Sequence, residues 1–223
     1  MSAQVQHRLE AIASFSSEQR LVVECLAGQG TAPDRLQTLL RQGADWDSLC
    51  RIAISHAVAP LVYHQLKKLD QSPALESEIA PLRHAYFHSL KRNLLLTSEL
   101  VGLVALFEQA KVLAVPLKGP VFARQLYEDV GLRVIGDLDF LVPQNDVLRV
   151  SQILLENGYK ACHRFTRRQE SALLRHHGAL VFVSPGNTVV DIHWRFEPRR
   201  MGLKLDPDQV FSRTVTQKFE GHT

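Results

Sequence analysis

The sequence predicts an α+β fold: a helical region over residues 1–110, a sheet with flanking helices over 111–200, and a C-terminal segment over 201–223. Three observations carry this. Apolar residues recur at helical spacing, with caps and glycine stops, from the start to about Val112. From Lys111 the pattern changes to short β-branched runs between Gly and Pro turns. The 223 residues are 45% hydrophobic and 22% charged, an ordinary globular mixture long enough for one large domain or two small ones.

In the first half, SSEQRLVVECLAGQG has a serine cap, helical spacing and Gly28 as its stop, and APDRLQTLLRQG repeats that grammar up to Gly43. DWDSLCRIAISHAVAPLVYHQLKKL is helical in period, and Pro60 is expected to kink it or divide it in two. After Ser72-Pro73 come a short helix and a long one from about Pro81 to Ala110. His56, His64, His84 and His88 read as ordinary helix residues of this half.

In the second half, VLAVPLKG is a short strand candidate and PVFARQLYED a helix opened by proline; RVIGDLDFLVP is a second strand candidate. NDVLRVSQILLENGY is an amphipathic helix capped by Asn145 or Asp146 and stopped by Gly158. GALVFVSPGNTVVDIHWRF reads as a β-hairpin around SPGN. The order strand, helix, strand, helix, strand, strand fits an α/β or α+β sheet domain of roughly 90 residues. The polar tail LDPDQVFSRTVTQKFEGHT lacks a closing element and reads as a truncated end.

A net charge of +3 is too small to argue for nucleic acid by itself, and it permits a phosphate-bearing ligand. Cys25, Cys50 and Cys162 are odd in number and show no zinc spacing, so they read as buried small hydrophobes in a reducing cytoplasm. The N-terminus has no signal-peptide core, and no run approaches the ~18 apolar residues of a membrane span. A soluble, cytoplasmic protein without a membrane partner is expected; the oligomeric state is left open.

RVIGDLDFLVP raises the chemical question, because a strand otherwise built for a core carries Asp137 and Asp139. Alternation puts both on one face, ~6.6 Å apart at Cα, with Leu138, Phe140 and Val142 on the other. Covered carboxylates must be protonated, paired or bound to a cation. Mg²⁺ suits them, since it takes one or two carboxylates and completes its shell with water and substrate phosphates. Taken alone, Gly-Asp-x-Asp also serves as a turn or a cap.

Two further stretches bear on the choice. In VVDIHWRF, Asp191 shares a strand face with His193 and supplies a third carboxylate, as metal ligand or as the base that deprotonates an attacking hydroxyl. The other reading of Asp191 is a hydrogen-bond partner for an arginine. In LKGP, Gly119 permits a close turn and Pro120 suits a first helical position, so the helix N-terminus forms an anion site with Lys118 beside it.

The ordered set LKGPVFARQLY, RVIGDLDFLV and VVDIHWRF resembles the uncharacterised nucleotidyltransferase family of the DNA polymerase β-like superfamily. The helical stretch containing HAVAPLVYHQL is also similar to that family, and the likeness covers about residues 45 to 215. The resemblance implies a mixed β-sheet with helices packed on it and Mg²⁺, with Mn²⁺ as a substitute. Asp137 and Asp139 would be metal ligands, and Asp191 a third ligand and possible base. It implies Lys118 and Gly119 at the phosphates of an NTP. Arg133 would neutralise triphosphate charge or fix its strand through a salt bridge, and His193 would contact substrate or orient Asp191. The superfamily usually has Gly-Ser where this chain has Lys-Gly-Pro.

The expected activity is Mg²⁺-dependent transfer of a nucleoside monophosphate from NTP to an unknown acceptor, a small molecule, a protein or RNA. The alternative is a catalytically weak module that binds nucleotide, RNA or protein through the basic segments HRFTRR and FEPRR. Haloacid-dehalogenase-type phosphatases and DxD glycosyltransferases also pair aspartates, but there the DxD normally ends a hydrophobic strand, whereas FLV continues this one. A zinc site from His163, His176 and His177 has no supporting spacing.

Overall fold

The computed structural model describes residues 15–27, 36–38, 40, 43–69, 73–127, 129–163, 174–195, 207–216 and 219. The chain forms two compact units, Met1–Arg92 with Tyr127–Val134, and Asn93–Leu126 with Ile135–Thr223.

The first unit is helical. α1 (Ser17–Leu26) opens with a capping box, in which Gln19 N donates to Ser16 Oγ at 3.2 Å and Ser16 N donates to Gln19 Oε1 at 3.0 Å. α2 (Trp46–Ser55) is capped by Asp45, whose Oδ1 accepts from Ser48 N at 3.0 Å. The long apolar pattern divides rather than kinks. Ala57 turns the chain at φ 57°, α3 (Ala59–Leu69) follows, and Pro60 occupies its second position, where a missing N–H costs nothing. α4 (Pro73–Glu78) and the start of α5 (Ala80–Gln109) complete the unit.

Leu21, Cys25, Leu49, Ala53, Val62, Leu66, Ile79 and Leu82 form one buried core, so each helix turns one apolar stripe inward. The second expected helix, APDRLQTLLRQG, lies for the most part outside the described residues.

The stretch 127–134 returns to this helical unit. Asp129 Oδ1 accepts from Gly131 N at 2.7 Å, Oδ2 accepts from the Tyr86 hydroxyl, and Val130–Leu132 forms a 3-10 turn. A Cβ on Gly131 would meet Leu90 Cβ and Tyr86 Cε2 at 3.0 Å, closer than packed carbons tolerate. Gly131→Ala is therefore expected to cost about 1–3 kcal/mol, read as a lower urea midpoint; an unchanged midpoint would contradict this packing.

The second unit carries a mixed sheet. Its strands are β1 (Val115–Leu117), β2 (Leu138–Leu141), β3 (Lys160–Ala161), β4 (Ala179–Val183) and β5 (Val189–His193), in the order β1-β2-β5-β4-β3. β2 and β5 run parallel and the other pairs are antiparallel. β4 and β5 form the expected hairpin. Asn187 N donates to Ser184 O at 3.0 Å, Asn187 takes a left-handed φ of 64°, and Ser184 Oγ accepts from Thr188 N at 3.1 Å.

α6 (Gly119–Leu126) links β1 towards β2, and α7 (Val147–Glu156) buries Val147, Val150 and Leu154. Asp146 stands at the cap of α7 without a side-chain cap bond, because a 3-10 turn over Gln144–Asp146 leads into the helix instead. Gly158 ends α7 at φ 84°. The short edge strand β3 was not among the expected elements; two residues are too few to show an alternating pattern. Phe107, on the second half of α5, meets Phe140 of β2 edge to face at 5.4 Å. α8 (Pro207–Phe211) lies in the expected polar tail.

The fold is thus α+β, helical first and with a mixed sheet after it. One expectation is corrected: Cys25 and Cys50 are buried free thiols, but Cys162 is exposed, because it follows a two-residue edge strand that no further element covers among the described residues. Burial pushes the Cys25 thiol up to about 12. No helix among the described residues is long and apolar enough to cross a membrane.

Candidate active site

The site is built by the parallel pairing of β2 with β5. Asp139 stands opposite Asp191, and Leu141 opposite His193. With a period of two, residues 139 and 191 share a face with residues 141 and 193, so the register delivers Asp139, Asp191 and His193 to one place. One donor atom from each lies within 4.8 Å of the others. Among the described residues, His163, His176 and His177 form no such group.

Both strands are held firmly from behind. Leu138 and Phe140 on β2, and Val190 and Ile192 on β5, are buried, and Trp194 continues that core. In the expected strand RVIGDLDFLVP only Leu138–Leu141 is strand. Asp137 therefore stands just before β2, half-buried, while Asp139 is only 5% exposed. The same face carries Leu141, itself fully buried, while Asp191 and His193 on that face stay partly exposed.

Each oxygen of Asp139 has a cationic or polar partner. His193 Nε2 lies 3.0 Å from Oδ1, and an ionised carboxylate only accepts, so Nε2 carries the proton. Lys118 Nζ lies 2.9 Å from Oδ2 and 3.9 Å from Asp137 Oδ1. The closer approach is an ion pair whose angles fall short of a directed hydrogen bond. Burial by itself would raise the Asp139 carboxyl, but the His193 and Lys118 interactions together outweigh it and hold the group below its usual value.

Asp191 is the contrast. Its Oδ1 is buried and has no hydrogen-bond partner among the described residues. Burial pushes its carboxyl up, with the charges of Asp137 and Asp139 adding to that and His193 and Lys118 opposing it. Two carboxylates in register are thus shifted in opposite directions.

Lys118 and Gly119 form the turn from β1 into α6, both left-handed, at φ 45° and 54°. That conformation is free for glycine and costs a lysine about 1 kcal/mol or more. Antiparallel pairing of Leu117 with Asp139 brings the turn beside the acids. Lys118 is raised, chiefly by its interaction with Asp139. Arg133 belongs to the first unit, where its carbonyl accepts from Ser89 Oγ at 3.3 Å.

The structure therefore places Lys118, Asp137, Asp139, Asp191 and His193 around one end of the β2–β5 pair. Sequence alternation pairs His193 with Asp191 only by face; its partner Asp139 follows from the parallel register, which single strands do not reveal. Of the basic segments, residues 164–168 and 196–200 lie outside the described residues.

Residues 42–223 match the family described as uncharacterised nucleotidyltransferase. The chain belongs to this nucleotidyltransferase family. The match spans both the later helices of the first unit and the whole sheet, so the carboxylate pair of β2 and β5 lies inside the matched region. Among curated proteins, none matches the chain.

For a nucleotidyltransferase, the acidic end of this sheet has the donor chemistry of a divalent-cation site: two carboxylates side by side on one face, an imidazole beside them and, on Asp191, a buried oxygen without a hydrogen-bond partner among the described residues.

Proposed function

We propose that the chain is a cytoplasmic, Mg²⁺-dependent nucleotidyltransferase that moves a nucleoside monophosphate from an NTP to an acceptor hydroxyl or phosphate. The observation that carries this is the in-register pair Asp139 and Asp191, with Asp191 Oδ1 buried and without a hydrogen-bond partner among the described residues. Together with family membership it favours a hard divalent cation, and Mn²⁺ should replace Mg²⁺. Asp139 and Asp191 would hold the ion with Asp137 beside them, where it would supply charge neutralisation to the phosphates.

The chain's own residues do the rest. Lys118 and the N-terminus of α6 bind the phosphates, because the first N–H groups of a helix attract anions. His193, on the same face, fixes the direction of the Asp139 carboxylate as a positioning residue. Asp191, whose Oδ1 has no hydrogen-bond partner among the described residues, takes the proton of the attacking hydroxyl. The acceptor oxygen bonds to the α-phosphorus as the bond from that phosphorus to the bridging oxygen breaks. Pyrophosphate leaves with the electron pair.

His193→Ala is expected to weaken Mn²⁺ binding about 10- to 100-fold, while the fold, with a half-buried histidine removed, stays intact by circular dichroism. Unchanged Mn²⁺ affinity would remove the positioning role.

The reading is tested by equilibrium dialysis against each of the four ribonucleoside triphosphates, with and without Mg²⁺ or Mn²⁺. At least one should be retained in a metal-dependent way and lost from the Asp139→Asn, Asp191→Asn double variant. Retention of none, with either metal, would overturn the proposal.

A further inference from the structure

We propose that Lys118 is a built-in counter-cation that competes with the divalent ion for Asp139 and moves to the phosphates once the ion is bound, which makes metal and nucleotide bind cooperatively. The inference rests on the nucleotidyltransferase reading above and adds to it a coupling between its two ligands.

The ground is the geometry of Asp139. Oδ1 is engaged by His193 at 3.0 Å, and the Lys118 ammonium stands 2.9 Å from Oδ2, so a cation that takes this buried carboxylate meets a positive charge already at Oδ2 and is opposed by it until that charge moves away. His193 is fixed within β5 by ladder pairing on both sides. Lys118 is not in a strand: it sits in a turn, its side chain is 49% exposed, and four rotatable bonds carry its ammonium. Lys118 is the partner that can leave.

The fold also gives the released ammonium a destination. Lys118 immediately precedes α6, so an ammonium released from Asp139 stays beside the helix N-terminus where an anion would dock. The backbone of Lys118 is left-handed, a conformation a non-glycine residue keeps only when its surroundings enforce it.

The coupling follows by linkage. Metal binding frees the lysine for phosphate, and phosphate that draws the lysine away leaves Asp139 open to metal; each ligand raises the affinity of the other by one and the same factor. A lysine that only added positive charge, without moving, would weaken metal binding equally with and without phosphate.

The test uses the full chain and its Lys118→Met variant. Mn²⁺ binding is read by electron paramagnetic resonance, and inorganic triphosphate, which carries no base, is read by calorimetry. Removing the competitor should tighten Mn²⁺ alone about tenfold. It should leave triphosphate affinity without metal within about twofold, and weaken triphosphate about tenfold in saturating Mn²⁺. Lys118→Gln is read in parallel, so that a folding defect of one variant does not decide the matter, and Lys118→Arg, which keeps the charge, should retain the native Mn²⁺ affinity.

Equal or weaker Mn²⁺ binding by Lys118→Met and Lys118→Gln would overturn the inference, as would a loss of triphosphate affinity of the same size with and without metal. Tightening in Lys118→Arg equal to that in Lys118→Met would overturn it too. Those results leave the nucleotidyltransferase reading standing. Failure of the native chain to bind Mn²⁺ at all brings down both.

Discussion

Asp139→Asn is expected to lower nucleotidyl transfer by three orders of magnitude or more, about 4 kcal/mol of transition-state stabilisation. The change keeps the shape of the side chain and removes its charge. Asp139 is the hub of the site, 5% exposed, in contact with Lys118 and His193 and paired in register with Asp191. Without its charge the ion loses a ligand, and Lys118 and His193 lose the group that positions them. The effect should therefore fall on kcat and on Mn²⁺ affinity together. It is measured as transfer rate at saturating metal and nucleotide beside a Mn²⁺ titration. A variant with native Mn²⁺ affinity and native rate would place the ion elsewhere.

Asp191→Asn should separate function from stability. Transfer should fall about 100-fold or more, because a base and a metal ligand are lost together, yet the EDTA-treated protein should become more stable. The sign follows from the direction of each shift. Asp191 is raised above the ordinary 3.8, so the folded state holds its proton more tightly; its penalty is absent below that value, grows as pH rises to the folded pKa, and is fully present at neutral pH. Asp139 is lowered, so its contribution is present above 3.8 and lost as pH falls through its folded pKa.

Removing the Asp191 charge while keeping the shape of its side chain should thus raise the melting temperature at pH 7 by about 2–4 °C, with the gain disappearing below about pH 4. Asp139→Asn in the same EDTA-treated protein should lower it. A fall for Asp191→Asn of the same size as for Asp139→Asn would contradict the assignment of Asp191 as the unsatisfied carboxylate. Sites that hold charge ready for a ligand are commonly less stable for it.

Much of the fold was legible because its local signals agree. The serine cap of the first helix, the interruption near Pro60, Gly158 as a stop and SPGN as a hairpin turn each state their role within a few residues. The site residues were legible as candidates for a related reason: a carboxylate between β-branched neighbours, as in VVDIH, conflicts with its surroundings.

What local pattern does not carry is pairing between distant strands. That β2 and β5 are parallel neighbours, that Leu117 stands beside Asp139, and that His193 serves Asp139 all depend on non-local register. The same holds for Gly131: its closeness to Leu90 and Tyr86 is a packing fact with no local signature. Asp137 illustrates the limit from the other side. Alternation joins it to Asp139, but the strand starts one residue later, and Asp137 is outside the group of donors within 4.8 Å while still 3.9 Å from Lys118.

The most direct measurement is which phosphate bond the protein breaks, since that needs no knowledge of the acceptor. With water as a slow acceptor, incubation with Mg²⁺ and α- or γ-labelled NTP should yield nucleoside monophosphate and pyrophosphate in equal amounts. The α label should appear in the monophosphate and the γ label in pyrophosphate, and Asp139→Asn should yield neither. Release of nucleoside diphosphate and inorganic phosphate, or cleavage that persists in Asp139→Asn, would contradict nucleotidyl transfer at this site.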